Sequence, residues 1–256
     1  MQTRLDWNEI DAIFRRHVVE SIAEWVPAGS EHHDSTLQFA LGRIEEGKQL
    51  AGFFAARGLS GQVLDIGAGN GGVAVGMSNH DAFDVTGLDI LVNRDLLALR
   101  AETTLPMRQI VGSGHHLPFA DNSFDVVLCL ETIEHVPRPD LLGPEIVRVL
   151  RPGGQCMITT PPRLRYWFAR DPHYAIPGLI LLPDALQRFV ASSVLRRTDT
   201  YDVVHIFWHV DEIAKLFPDT NVEVLWDHNY TGATFMDRMW YRLRNFLWNR
   251  IVFTKR

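Results

Sequence analysis

Cysteine is scarce in this 256-residue chain: Cys129 and Cys156 are the only two, and both lie inside apolar runs. That number and spacing exclude a disulfide framework and a thiolate metal site. Two thiols placed in neighbouring central strands read as buried, free and in a reducing compartment. Positive charge is also short, with 25 basic against 31 acidic residues and a net charge of −6. That balance disfavours a nucleic-acid groove. No apolar run reaches the roughly 20 residues that a membrane-spanning helix needs. The opening Met-Gln-Thr-Arg-Leu-Asp-Trp-Asn-Glu lacks a secretory pattern, so the expectation is a cytoplasmic protein with no nucleic-acid partner. What the chain does have is 46% hydrophobic residues, enough for one substantial core, and a single domain over residues 1–256 is the default.

The most informative stretch is Gln62-Val-Leu-Asp-Ile-Gly-Ala-Gly-Asn-Gly-Gly72. A short apolar run ends in Asp65, Gly67, Gly69 and Gly71 follow at alternate positions, and Val73-Ala74-Val75 resumes the apolar character. A buried strand turning tightly into a helix has this composition, because the chain must adopt unusual backbone angles and admit a ligand to its main chain. An ordinary strand–turn–helix corner is the bland reading. Gly67, Gly69 and Gly72 also satisfy the dinucleotide pattern, which makes a nicotinamide or flavin enzyme the first competitor. Asp65 argues against it. A carboxylate two residues before the first glycine would face a pyrophosphate and cancel part of what the helix N-terminus offers. A ligand with an ammonium group suits that end better.

Further blocks follow in order. Asp84-Val-Thr-Gly-Leu-Asp89 reads as a second strand closing on a carboxylate about twenty residues past the loop, the spacing for an acid that accepts ribose hydroxyls, which a dinucleotide enzyme would also place there. Gly112-Ser-Gly-His-His-Leu-Pro-Phe-Ala-Asp-Asn-Ser-Phe-Asp125 leads into Val126–Leu130 and Glu131-Thr-Ile-Glu-His-Val136, and then Arg148-Val-Leu-Arg-Pro-Gly-Gly154. Over residues 60–160 the chain resembles the class I S-adenosylmethionine-dependent methyltransferases, in particular their small-molecule, type 11-like branch. The resemblance implies S-adenosylmethionine as cofactor. Asp65, Gly67, Gly69 and Gly71 would line its methionine portion, Asp89 would hold the ribose, and Ile90 would flank the adenine. Many relatives bind the adenine amino group through an acid just after the third strand. Here that position is Ser113, followed by Gly114 and His115, so Ser113 or the His115 main chain is expected to replace it. Leu130 and Glu131 should border the methyl-transfer site.

Periodicity supplies the architecture. Leu5 to Val26 carries apolar residues at helical spacing, and a second helix opens at Asp34 or Ser35 and runs to about Arg57. The resembling enzymes use such a pair to cover the cofactor. Short apolar strands then alternate with helices: Val63–Ile66, Val85–Leu88, Arg108–Val111, Val126–Leu130 and Gln155–Thr160. Val222–Trp226 reads as a sixth strand and Arg250–Lys255 as a closing antiparallel seventh. The expected fold is α/β, a doubly wound, mostly parallel seven-stranded sheet with ligands at the carboxyl ends of its strands. Within it, residues 1–60 supply the N-terminal helices, 61–160 the cofactor-binding core, 161–205 a substrate lid and 206–256 the closing helices and strands.

The lid reading rests on Pro161–Pro183, a long segment rich in proline, aromatics and arginine that leaves the fifth strand at its ligand end. The alternative is an insertion that packs on the sheet edge. Near the end of the chain, Met236, Met239, Trp240, Leu243, Phe246 and Leu247 recur at helical spacing among Arg238, Arg242 and Arg244. A basic amphipathic helix over 234–249 can lie on the inner face of an anionic membrane, or dock on its own domain or a second subunit, the commoner outcome. Helix and lid together favour a hydrophobic or lipid-linked small-molecule acceptor, glycan-bearing intermediates included, methylated on oxygen. Such transfer needs alignment and removal of a proton, for which histidine is suited. His135, His173 and His209 are the candidates. His205 alternates with apolar residues as a strand-packed side chain would, His32 and His33 read as loop, and Glu131, Glu134 and His135 lack the further ligands of a magnesium site. Two other classes stand beside this one: a non-catalytic methyltransferase-like partner protein and a nicotinamide-dependent oxidoreductase.

Overall fold

The computed structural model describes residues 7–25, 33–92, 94, 97–98, 107–160, 179, 182–194, 207, 210–225 and 250–256. Of Pro161–Pro183, only Leu179, Leu182 and Pro183 are among them. His32, His173, His205, His209 and the expected amphipathic helix at 234–249 lie outside the described residues.

Two helices open the chain, α1 (Trp7–Trp25) and α2 (His33–Ala56). They are followed by β1 (Gly61–Ile66), α3 (Gly72–Ser78), β2 (Phe83–Asp89), β3 (Met107–Val111) and β4 (Phe124–Leu130). A 3-10 turn (Ile133–His135) leads to α4 (Pro139–Val149) and β5 (Leu150–Thr159). After α5 (Asp184–Phe189) and a π-helical turn (Val190–Val194) come α6 (Val210–Ala214), β6 (Thr220–Leu225) and β7 (Arg250–Lys255). The seven strands form one sheet in the order β3-β2-β1-β4-β5-β7-β6. β2 runs parallel to both β1 and β3, and β7 is antiparallel to β5 and β6. The expected α/β sheet with its N-terminal helix pair and antiparallel last strand is therefore present.

Strands β1, β2 and β4 start two residues earlier than their apolar runs. The second residue of each strand is polar, and these polar residues are held by one another. Gln62 Nε2 donates to Asp84 Oδ2 at 3.0 Å, Arg108 donates to the same oxygen at 2.8 Å, and the Gln62 amide donates to Asp125 Oδ2 at 2.7 Å. Arg151 pairs with Asp125, which draws Leu150–Gly154 into the start of β5 ahead of the expected Gln155. The Ser-Phe-Asp block is thus a structural lock. Ser123 Oγ donates to the Ala120 carbonyl and Phe124 stands edge-on to Phe119, with ring centroids 4.8 Å apart.

The described residues fall into two compact units, one drawn from 1–128 and 149–154, the other from 129–148 and 155–256. In the first, Val63, Leu64, Val85, Phe14 and Phe54 are fully buried. Here α2 and α3 touch backbone to backbone: a Cβ on Gly47 would stand 2.2 Å from the Val73 carbonyl oxygen, and one on Gly76 2.0 Å from that of Ile44. Only glycine permits this approach, and it sets α2 against the start of α3, where the glycine loop ends. In the second unit, Phe217 stacks on Phe253 at 4.1 Å and Ile133, Leu142 and Ile146 are buried.

Candidate functional site

Asp65 ends up as the sequence reading required, at the carboxyl end of β1 where the sheet order reverses. In open α/β sheets that is the position of the ligand crevice. The three loop glycines all have left-handed backbones, with φ of 73° at Gly67, 53° at Gly69 and 84° at Gly71, the residue that precedes α3. Asn70 Oδ1 caps the Gly72 amide at 3.1 Å, which fixes the turn into the helix.

The carboxylate of Asp65 is buried, 2% exposed, and its Oδ2 has no hydrogen-bond partner among the described residues. Burial pushes its pKa up to about 7. Arg43 opposes that shift, while the negative charges of Glu46 and Asp89 add to it. Arg43 and Glu46 come from α2 and form their own ion pair at 2.6 Å, with the Arg43 guanidinium 5.4 Å from the centre of the Phe39 ring. Sequence reasoning did not single out this pair. Its signal was an i,i+3 arginine–glutamate pair on a helix destined to cover the loop.

Asp89 lies at the end of β2 and is tied to the loop. Its Oδ2 accepts from the Gly69 amide at 2.9 Å and its Oδ1 from the Leu91 amide at 3.0 Å. Each oxygen keeps a second lone pair for a ligand hydroxyl. Directly after it, Ile90, Leu91 and Val92 are 71%, 69% and 57% exposed, an apolar shelf of which the sequence reading named Ile90 alone. Ser113, Gly114 and His115 occupy the loop after β3. There the Ser113 hydroxyl accepts from the His115 amide at 3.2 Å and the Ser113 carbonyl accepts from His116 at 3.2 Å. The serine and the His115 main chain, the two expected adenine contacts, are engaged with each other.

In the second unit Leu130 is buried, and Glu131 takes a left-handed backbone, φ 52°, uncommon for a residue with a side chain. Its amide donates to both the carbonyl oxygen and the hydroxyl of Thr159, at 2.9 and 3.1 Å. The 3-10 turn then buries Glu134 to 1% exposure and closes with the His135 amide on the Thr132 carbonyl, 2.9 Å away. Burial pushes Glu134 up to about 8, and the charge of Glu131 adds to this. The backbone amide and the Thr160 hydroxyl act the other way, from positions outside hydrogen-bond geometry, since neither Glu134 oxygen has a partner among the described residues.

That placement has a testable consequence for stability. A carboxyl whose folded pKa lies above its unfolded value holds its proton more tightly when folded. The stabilisation is complete below about 4.5 and lost as pH rises through about 8. Glu134→Gln should therefore flatten the fall of melting temperature between pH 5 and 9 and be the more stable form at pH 9. Parallel melting curves for the two proteins would show that Glu134 does not hold a proton.

Residues 64–158 match the family model described as "Methyltransferase domain". A ubiquinone biosynthesis O-methyltransferase of Alkalilimnicola ehrlichii is 38% identical over 156 residues, which is 55% of this chain and 59% of that protein. An uncharacterized methyltransferase of a Mycobacterium species is 40% identical over 100 residues, 38% of this chain and 37% of its own length. The chain thus spans about three fifths or less of the length of these curated relatives. Among solved structures, a protein of Pyrococcus horikoshii shares the fold with a TM-score of 0.55, at 20% identity, over 91% of this chain and 96% of that one. Motif order and sheet order agree with the family match, and over residues 64–158 the chain is similar to the methyltransferase domain family.

Proposed function

We propose that this protein binds S-adenosylmethionine in the cradle formed by Asp65, the glycine loop and Asp89, and methylates an oxygen of a small-molecule acceptor. The observation that carries the cofactor reading is the orphaned Oδ2 of Asp65. A buried carboxylate oxygen without a partner is costly, and an ammonium group arriving there would relieve the cost. The glycine loop leaves main-chain room beside it, Asp89 has lone pairs left for ribose hydroxyls, and Ile90 to Val92 offer an apolar surface to a base. When bound, the cofactor supplies an electrophilic sulfonium methyl. The protein's part is to hold the acceptor in line with it and to take the acceptor's proton.

Oxygen as the accepting atom is supported by the relative from Alkalilimnicola, named as an O-methyltransferase. A hydrophobic or lipid-linked acceptor is supported by the composition of Pro161–Pro183 and of 234–249 alone. We read His135, His173 and His209 as candidates for the proton-accepting role, and the 234–249 segment as a contact with a membrane face or a second subunit. Among the described residues no helix is long and apolar enough to cross a membrane.

Titration calorimetry with S-adenosylmethionine and with NADH tests the cofactor. Binding of the first and not the second is expected; the reverse outcome sinks the proposal. Mass spectrometry of a cell extract incubated with isotope-labelled cofactor then identifies the acceptor, and label on nitrogen or carbon would overturn the choice of oxygen. Asp89→Ala should weaken S-adenosylmethionine at least tenfold, because it removes hydrogen bonds to a charged group worth on the order of 1.5–3 kcal/mol each and breaks the bond that ties the Gly69 amide to β2. Asp89→Asn should fall between the two, since its amide oxygen still accepts. An unchanged dissociation constant for Asp89→Ala would remove this carboxylate from the site.

A further inference from the structure

We propose that Arg43 and Glu46 on α2 are positioning residues for cofactor binding: without touching the cofactor, they set the charge that Asp65 offers to its ammonium group. This rests on the cofactor reading above. Packing places the pair beside the cradle. A Cβ on Gly72 would stand 2.7 Å from Arg43 Cβ, so this turn of α2 lies directly on the first residue of α3, where the glycine loop ends. The Arg43 guanidinium donates to Glu46 Oε2 at 2.6 Å and lies 5.4 Å from the centre of the Phe39 ring. Ion pair and ring hold the two side chains in one arrangement. Both are partly buried, where charges are screened far less than on an open surface.

Oδ2 of Asp65 has no hydrogen-bond partner among the described residues, so the pair acts on it through charge and not through a bond. The charged groups that act on Asp65 come from α2 and β2. Burial raises its proton affinity most, Arg43 lowers it, and Glu46 and Asp89 raise it. Arg43 and Glu46 therefore pull in opposite directions, and the glutamate cancels part of what the arginine supplies. An ammonium group needs Asp65 ionised, so whatever moves that proton affinity also moves the pH at which binding sets in. The arginine alone would keep the carboxylate charged to lower pH. With the glutamate beside it, Asp65 titrates at about 7.

The test titrates S-adenosylhomocysteine, which carries the same ammonium group, into wild type, Arg43→Gln and Glu46→Gln by calorimetry between pH 5.5 and 8. Wild-type affinity should fall below about pH 7. Glu46→Gln should push that fall to lower pH and bind at least about threefold more tightly than wild type at pH 6. Arg43→Gln should push it to higher pH and bind at least about threefold more weakly there. The double variant should lie between the two, and Arg43→Lys, which keeps the charge, should keep the wild-type profile. With the analogue in which hydrogen replaces the α-amino group, these displacements should vanish. A loss of affinity equal at every pH, or shared by that analogue, would mean that Arg43 packs the loop or touches the ligand itself, and would overturn the proposal. Displacements in the same direction, no displacement, or a flat wild-type profile would overturn it too, and leave the cofactor reading standing. A wild type that binds no S-adenosylhomocysteine would instead bring down the cofactor reading, and this inference with it.

Discussion

Replacing Asp65 by asparagine should make the ligand-free protein more stable and at the same time unable to hold its cofactor. At pH 8 the wild-type carboxylate is ionised, buried and without a hydrogen bond to Oδ2 among the described residues. Its folded pKa of about 7 lies above the ordinary value of 3.8, so folding takes up a proton between these values and stability falls as pH rises from one to the other. Above both, the ionised group costs the fold on the order of 4 kcal/mol. Asparagine keeps the shape without the charge, and the melting temperature at pH 8 should rise by roughly 5–10 °C. The gain should shrink at pH 5, where the wild-type carboxyl is protonated in the fold. Binding moves the other way: a neutral amide cannot attract an ammonium group, and affinity for S-adenosylmethionine should drop about a hundredfold or more. In wild type each pH unit below about 7 should weaken binding by up to tenfold, because the proton must leave first. Scanning calorimetry and titration calorimetry on the same two proteins decide the matter. A variant that is less stable at pH 8, or that binds normally, would contradict this account of Asp65.

Gly67→Val should abolish cofactor binding outright. At φ 73° the backbone lies where a β-branched side chain is excluded, so the substitution either twists the loop or leaves it strained by about 1–3 kcal/mol. The loop has little room to adjust, since the Gly67 and Ala68 amides both donate to the Leu88 carbonyl, at 2.8 and 3.1 Å, and Gly69 is tied to Asp89. No heat of binding is expected from a variant whose circular dichroism is that of wild type. A folded variant with normal affinity would mean that the cofactor sits elsewhere.

Much of this site was legible in the sequence because its requirements are local. Left-handed backbone at Gly67, Gly69 and Gly71 follows from residues that alone tolerate it, and Asp65 and Asp89 take their places from the ends of two apolar runs. Period and composition likewise sufficed for the succession of strands along the chain and for the two leading helices, while the order of the strands in the sheet came from the tertiary structure. The early starts of β1 and β4 were not legible, since polar Gln62 and Asp125 are tied into the strands by bonds to each other and, for Gln62, to Asp84. Those bonds join residues 22 and 63 positions apart. Arg43 and Glu46 escaped for the same reason. Nothing near them in the chain points to Asp65, and it is the glycine contact between α2 and α3 that carries them to it. The raised pKa values of Asp65 and Glu134 belong wholly to the tertiary structure: a carboxyl titrates ordinarily in any extended chain, and only packing that removes water and supplies no partner changes it. So the residue types and their spacing determined the fold and the cradle's parts. Tertiary packing decided which polar atoms were left unpaired, and the orphaned Oδ2 of Asp65 is the one at which we propose that a ligand's donor arrives.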